Sequence, residues 1–245
     1  MRKLIKQLFH LAGFKIHRDL INNYPRFTLV KGFQNFGINC VFDIGANTGQ
    51  FAKELRKVGY KGKIISFEPL SDAHDELIKA ATNDPLWIVH PRAAIGDFDG
   101  DININISGNS VSSSILPMLD SHSNYEKSSA FVGSEKTPIF RLDTIAGNYI
   151  QEGDKYFIKI DTQGFEWQVL DGATSILANA VGIVCELSLV PLYKDQKLWM
   201  EMIERILGLG FNVWAVEPGF SSPEIGRDFQ IDITFYRDNT INGNF

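Results

Sequence analysis

Apolar residues along this chain come in short runs, and the stretches between them carry helical spacing. Residues 39–44 (NCVFDI) form the first such run, followed by a turn at 45–49. Residues 50–58 place Phe51, Leu55 and Val58 on one face of a helix. A second strand follows at 63–67 (KIISF), then a helix at 71–81 with Ser71 as its N-cap, then a third strand at 86–90 (LWIVH). Residues 101–106 (DININI) alternate strictly, the period of a half-exposed strand. Residues 108–134 are rich in Ser, Gly and Asn and read as a long loop, a feature that is usually functional or disordered in a compact domain. The alternation resumes with a strand at 155–161 (KYFIKID), a helix from 165 to 170, a strand at 181–187 (VGIVCEL) and a helix at 198–207. Two last strands are expected at 211–216 and 229–236. Strands alternating with helices predict an α/β fold: a Rossmann-like, doubly wound, mostly parallel seven-stranded sheet with an antiparallel terminal strand.

The segment before the first strand, residues 1–38, reads as an N-terminal helical arm, with the main domain at 39–245. Arg2, Lys3, Lys6, Lys15 and Arg18 face a single acid, Asp19, over its first twenty residues, and Leu4, Leu8 and Leu11 recur at helical spacing. Such a basic amphipathic stretch can lie on an anionic membrane or pack on its own domain, and both readings stay open. Lys6, His10 and Lys15 interrupt any signal-peptide core. No run of about 18 apolar residues is present, so no membrane-spanning helix is expected. The net charge of −5 gives no basic field for a nucleic-acid partner. The two cysteines, Cys40 and Cys185, lie in apolar runs and read as small core residues in a cytoplasmic protein.

The first strand ends in Asp43-Ile44-Gly45-Ala46-Asn47-Thr48-Gly49 and opens directly into a helix carrying Phe51. Glycines there let a ligand approach the backbone, and the helix N-terminus offers free N–H groups. A dinucleotide fingerprint would need G-x-G-x-x-G, but position 47 is Asn and position 50 is Gln. The missing second glycine is the one that admits a pyrophosphate. The spacing D-x-G-x-x-x-G instead suits S-adenosylmethionine, with Asp43 reaching its ammonium directly or through water. Glu68-Pro69 closes the second strand at the carboxyl edge of the sheet, where an acid can accept from both ribose hydroxyls. Ala94, in the AAIGD turn after the third strand, is expected beside the adenine.

Asp161 ends the fourth strand, beside the first in such a sheet, and is the leading candidate to bind the cofactor's methyl end and either to deprotonate a hydroxyl acceptor or to position it. Glu186, at the end of the fifth strand, and His122, in the Ser-rich loop, are further catalytic candidates. Ser112, Ser113 and Ser114 could bind acceptor hydroxyls, and Trp167, Tyr193 and Trp199 could stack on sugar faces. Glu166 reads as a first-turn acid that favours the helix dipole. Asp161 and Glu186 could share a hard cation, but no further ligand set accompanies them, so no metal is expected.

Together, DIGANTGQF, FEP, AAIGD, SVSSSIL, RLDT, IKIDTQGFEWQVLDGA, ELSLVPLY and FQIDITFYR, in that order, resemble the FkbM family of methyltransferases. The resemblance implies a class I methyltransferase fold and O-methylation of a hydroxyl on a small molecule, such as a secondary metabolite, or on a saccharide such as a cell-surface glycan. The family often carries Glu where Gln163 stands here, which puts any role of that position as a base in doubt. A nicotinamide-dependent oxidoreductase and a non-catalytic scaffold are the competing readings, and the intact Asp43 and Glu68 weigh against the scaffold.

Overall fold

A computed structural model describes residues 26–120 and 126–237. The first twenty residues of the arm, with the basic residues named above, and His122 lie outside the described residues. Helix α1 (Phe27–Phe36) comes first, then β1 (Cys40–Ile44), α2 (Gln50–Lys57), β2 (Lys63–Phe67), α3 (Ser71–Ala81) and β3 (Trp87–Val89). After β4 (Ala94–Ile95), β5 (Gly100–Ser107), β6 (Phe131–Phe140) and α4 (Leu142–Ile145), the alternation returns with β7 (Tyr156–Ile160), α5 (Glu166–Asp171), α6 (Thr174–Asn179), β8 (Gly182–Ser188) and α7 (Trp199–Gly208). The chain ends with β9 (Asn212–Pro218), the short β10 (Ser221–Ser222) and β11 (Arg227–Asp228), and β12 (Gln230–Tyr236).

The main sheet has seven strands in the order β3-β2-β1-β7-β8-β12-β9. From β3 to β8 all neighbours are parallel, while β12 runs antiparallel to both β8 and β9. The last strand of the chain is thus the antiparallel one, as expected, and it inserts between β8 and β9. The order reverses between β1 and β7, which makes the carboxyl ends of these two strands the switch point where ligands of open α/β sheets bind.

Both faces of the sheet are covered, so its central strands read as continuous apolar runs: β1 and β7 are buried at every position. One face packs Phe42, Ile65, Ile158, Ile183 and Phe235 under α5, α6 and α7. The other packs Val41, Ile64, Phe157 and Val184 under α1, α2 and α3. Helix α1 lies within the segment read as an arm, yet its Leu29, Val30 and Phe33 are core residues, and Phe33 packs 4.7 Å from Phe157. Each such side chain contributes roughly 1.5–3 kcal/mol of burial. Cys40 and Cys185 are free and fully buried, and burial pushes the Cys40 thiol up to about 12.

The stretch read as a loop from 108 to 134 is partly strand in its described residues. Its end belongs to β6, which pairs with β5 and β4 in a separate three-stranded sheet. Ser71 is also not the cap of α3 but its first residue. Glu135, on β6, caps the helix from outside, accepting from Ser71 N and Oγ, both at 2.8 Å. Among the described residues, no helix is long and apolar enough to cross a membrane.

Candidate active site

A cavity of about 240 Å³ opens over the carboxyl ends of β1, β2 and β7. The turn after β1 forms its centre. Gly45 has φ 74, and a Cβ there would stand 1.8 Å from the main-chain oxygen of Asp161, so the turn and the end of β7 meet only because position 45 has no side chain. Gly45 and Ala46 both donate to Phe67 O, at 3.1 and 3.0 Å, which fastens the turn to β2. Gly49, at φ 84, ends the turn and starts α2. It does not line the cavity as expected; a Cβ there would instead meet Trp87 and Leu77, so its role is close packing.

Glu68 stands at one end of the cavity. Its carboxylate accepts from Asn47 N at 2.7 Å and from Leu70 N at 2.9 Å. Burial nevertheless dominates and pushes it up to about 7. Two bonds leave lone pairs on both oxygens for a ligand diol. Pro69, Leu70, Phe67, Ala93, Ala94 and Ile95 give this end an apolar lining suited to a flat ring. Phe51, Asn47 and Ala46 line it from α2 and the turn.

Asp43 sits differently from the expectation. It is fully buried beneath the turn and does not line the cavity. Its pleat direction points it at its register partners on both sides, Ser66 on β2 and Lys159 on β7. Ser66 Oγ donates to Oδ2 at 3.0 Å, and Lys159 Nζ lies 3.4 Å from Oδ1, which has no hydrogen bond of its own. Burial raises the Asp43 pKa against the pull of Lys159 and Ser66. Its reach toward a ligand therefore runs through its neighbours.

Lys159 is the residue that sequence reasoning passed over. It is 7% exposed, donates to Gly45 O at 2.6 Å, and lies 3.4 Å from both Asp43 Oδ1 and Asp161 Oδ2. Burial opposes its charge, but Asp161 and Asp43 outweigh that and hold its pKa above the ordinary lysine value.

Asp161 lines the far end of the cavity with Thr162 and Gln163. A smaller polar cavity of about 60 Å³ adjoins it, lined by Arg26, Lys159, Asp161, Glu186 and Asp232 among others. Asp232 is the register partner of Glu186 and pairs with Arg26 at 2.8 Å. Burial, and then Asp161, raise the Glu186 pKa well above the usual carboxylate range. Asp161 and Glu186 are thus brought together as expected.

The remaining candidates divide. Of the three serines, only Ser113 lines the cavity; its Oγ already accepts from Ser107 N at 2.9 Å, and Ser114 Oγ donates to Gln163 O at 2.6 Å. These hydroxyls hold the loop rather than waiting for an acceptor. Trp167 is packed under Arg205, 4.1 Å from its ring centroid, and Tyr193 is buried, so among the three aromatics only Trp199 keeps substantial exposure. Glu166 does more than favour a dipole. It is 4% exposed and accepts from Thr162 N at 3.0 Å and Gly164 N at 3.0 Å, clamping the turn that carries Gln163. Among the described residues, no group of three or more His, Cys, Asp or Glu is placed to hold a metal ion.

The pocket thus combines a buried carboxylate with free lone pairs, an apolar slot and a glycine turn beside charged groups. A family model described as the methyltransferase FkbM domain matches residues 43–213, which contain every wall of this pocket except Arg26. No match is found among curated proteins. Among solved structures, a putative S-adenosylmethionine-dependent methyltransferase from Listeria monocytogenes is similar at 12% identity, covering 87% of this chain and 97% of that one with a TM-score of 0.49. A putative tRNA (m1A22) methyltransferase from Streptococcus pneumoniae, in complex with S-adenosyl-L-methionine, is similar at 13% identity, covering 86% and 71% with a TM-score of 0.46. The family match carries the assignment. The oxidoreductase and scaffold readings give way to it: the chain belongs to the FkbM methyltransferase family and is an S-adenosylmethionine-dependent methyltransferase of α/β fold.

Proposed function

We propose that this enzyme methylates a hydroxyl oxygen of a saccharide or a related polyhydroxylated small molecule. The observation that carries the proposal is the place of Asp161, a carboxylate shared by the cofactor-sized cavity and the smaller polar one beside it. When bound, S-adenosylmethionine supplies an electrophilic methyl group. Glu68 would hold the ribose hydroxyls, Asn47 and Ala46 the middle of the nucleoside, and Ala94 and Pro69 the ring. Gly45 leaves the room, and Asp43 and Lys159 support it from beneath.

Asp161 then has a defined task. An alcohol is a poor nucleophile until its proton begins to leave. As the methyl group left the sulfonium, with the S–C bond breaking and the neutral thioether departing, the acceptor's hydroxyl proton would pass to a free lone pair of Asp161. A positioned base of this kind contributes about 10²–10⁴-fold in rate. Glu186 does not line the larger cavity and its Oε2 already accepts from Gln163 and Gln230, so it serves as a hydrogen-bond partner for a neighbouring hydroxyl rather than as the base. The walls of the second cavity support a sugar: carboxylates with a guanidinium and an ammonium pair well with vicinal hydroxyls. The net charge of −5 argues against a polyanionic acceptor, and the two buried thiols fit a reducing cytoplasm.

The test is transfer of an isotope-labelled methyl group to a panel of oligosaccharides and glycolipid precursors, with the product read by mass spectrometry. Transfer to a sugar hydroxyl, reduced about 10²–10⁴-fold in Asp161→Asn, supports the proposal. Robust transfer to RNA or protein, with none to any saccharide, would overturn it.

A further inference from the structure

Asp161 and Glu186 stand at neighbouring strand ends and share one polar cavity. Two carboxylates in such a place repel, and the ordinary remedies are a shared proton or a cation between them. In this chain a third solution is present. Gln163 Nε2 donates to Asp161 Oδ1 at 3.0 Å and to Glu186 Oε2 at 2.6 Å. A primary amide carries two N–H donors, one for each carboxylate.

The orientation of that amide follows from the two acids. Turning it over would place its oxygen against two carboxylates, while Gln163 Oε1 in the observed orientation lies 3.0 Å from the Tyr193 hydroxyl, whose one proton it shares with Ser112 O at 2.9 Å. The backbone is equally constrained. Gln163 holds φ 54, in the left-handed region, on the turn clamped by Glu166, and its carbonyl accepts from Ser114 Oγ. Gln230 Nε2 adds a second amide donor to Glu186 Oε2 at 2.7 Å. A strained, fully engaged glutamine facing two acids is an expensive arrangement to keep for packing alone.

We propose that Gln163 is the positioning residue of the acceptor site, its amide standing where two facing carboxylates would otherwise take up a divalent cation. The side chain cross-links Asp161 to Glu186 and fixes the direction of the Asp161 lone pairs that remain. Methyl transfer by this chain accordingly needs no divalent ion at these carboxylates. A glutamate at the same place would complete a set of three carboxylates, the chemistry that holds a hard cation. The inference concerns the end of the site assigned above to the acceptor, but its test reads the carboxylate pair without any acceptor and so stands or falls separately.

The experiment is titration of the full chain with Mn2+, followed by the paramagnetic resonance of free and bound ion, on wild type, Gln163→Glu and the double variant Gln163→Glu/Glu186→Gln. Wild type should bind no Mn2+ at this pair. Gln163→Glu should gain one ion per chain, at least about tenfold tighter than any wild-type binding, and the double variant should lose it. If Gln163→Glu fails to fold, Gln163→Asp brings a shorter carboxylate to the same turn and should show the same gain. Two results would overturn the proposal: one Mn2+ bound per wild-type chain and lost in Asp161→Asn, or a folded carboxylate variant that binds no more Mn2+ than wild type.

Discussion

Lys159 Nζ donates to the main-chain oxygen of Gly45 at 2.6 Å and thereby ties the end of β7 to the turn after β1. The same ammonium is the cation nearest the fully buried Asp43. Replacing Lys159 by Met leaves Asp43 uncompensated, a change that costs about 3–5 kcal/mol for a buried pair. Urea unfolding at pH 7 should show that loss. It should shrink toward acidic pH, where Asp43 takes up a proton, and most of it should return in Asp43→Asn/Lys159→Met. A single variant as stable as wild type would contradict this account of the switch point.

Gly45→Ala should destabilise by about 2–4 kcal/mol, because the new Cβ meets the Asp161 carbonyl and the backbone must hold φ 74. Gly147→Ala is the matched control, since a Cβ there meets nothing within 4 Å. Thermal unfolding of the two variants side by side gives the comparison. Equal midpoints would mean that the turn and β7 are not in the contact described.

Glu68 makes the site pH-dependent. Its folded pKa of about 7 lies above the ordinary carboxylate value, so the folded state holds the extra proton between the two. Through this group, stability of the ligand-free enzyme is highest below the unfolded pKa and declines as pH rises to about 7, the reverse of an ion-paired acid. Cofactor binding runs the other way, since the ionised carboxylate is the better acceptor for ribose hydroxyls. Affinity for S-adenosylhomocysteine should therefore fall about tenfold from pH 8 to pH 6. Fluorescence or calorimetric titration across that range checks it, and a flat profile would remove Glu68 from the pocket chemistry.

Much of this was legible in the sequence because the relevant signals are local. Runs such as KIISF and VGIVCEL are strands by composition, and the turn after Ile44 shows its glycines openly. The errors lie where function depends on which strand neighbours which. Asp43 looks like a ligand acid at a strand end; only the register of β1 between β2 and β7 turns it toward Ser66 and Lys159. Lys159 carries no motif of its own, and its role appears only once β7 is known to lie beside the Gly45 turn. Gln163 stands where the family resemblance implies an acid, whereas its partners make it a double donor. Strand β6 is hidden because Gly133, Pro138 and its charged residues break the alternation, and β5 supplies the pairing that stabilises it. His122 lies outside the described residues and is not placed by this geometry.

The most direct test of the account is calorimetric binding of S-adenosylhomocysteine to wild type and to Glu68→Ala. The geometry predicts saturable binding of one molecule per chain to wild type, weakened at least about tenfold in the variant, whose loss of charged hydrogen bonds amounts to roughly 1.5–3 kcal/mol. Equal affinity in a folded Glu68→Ala protein, or no binding to folded wild type, would contradict the assignment of this cavity to the cofactor.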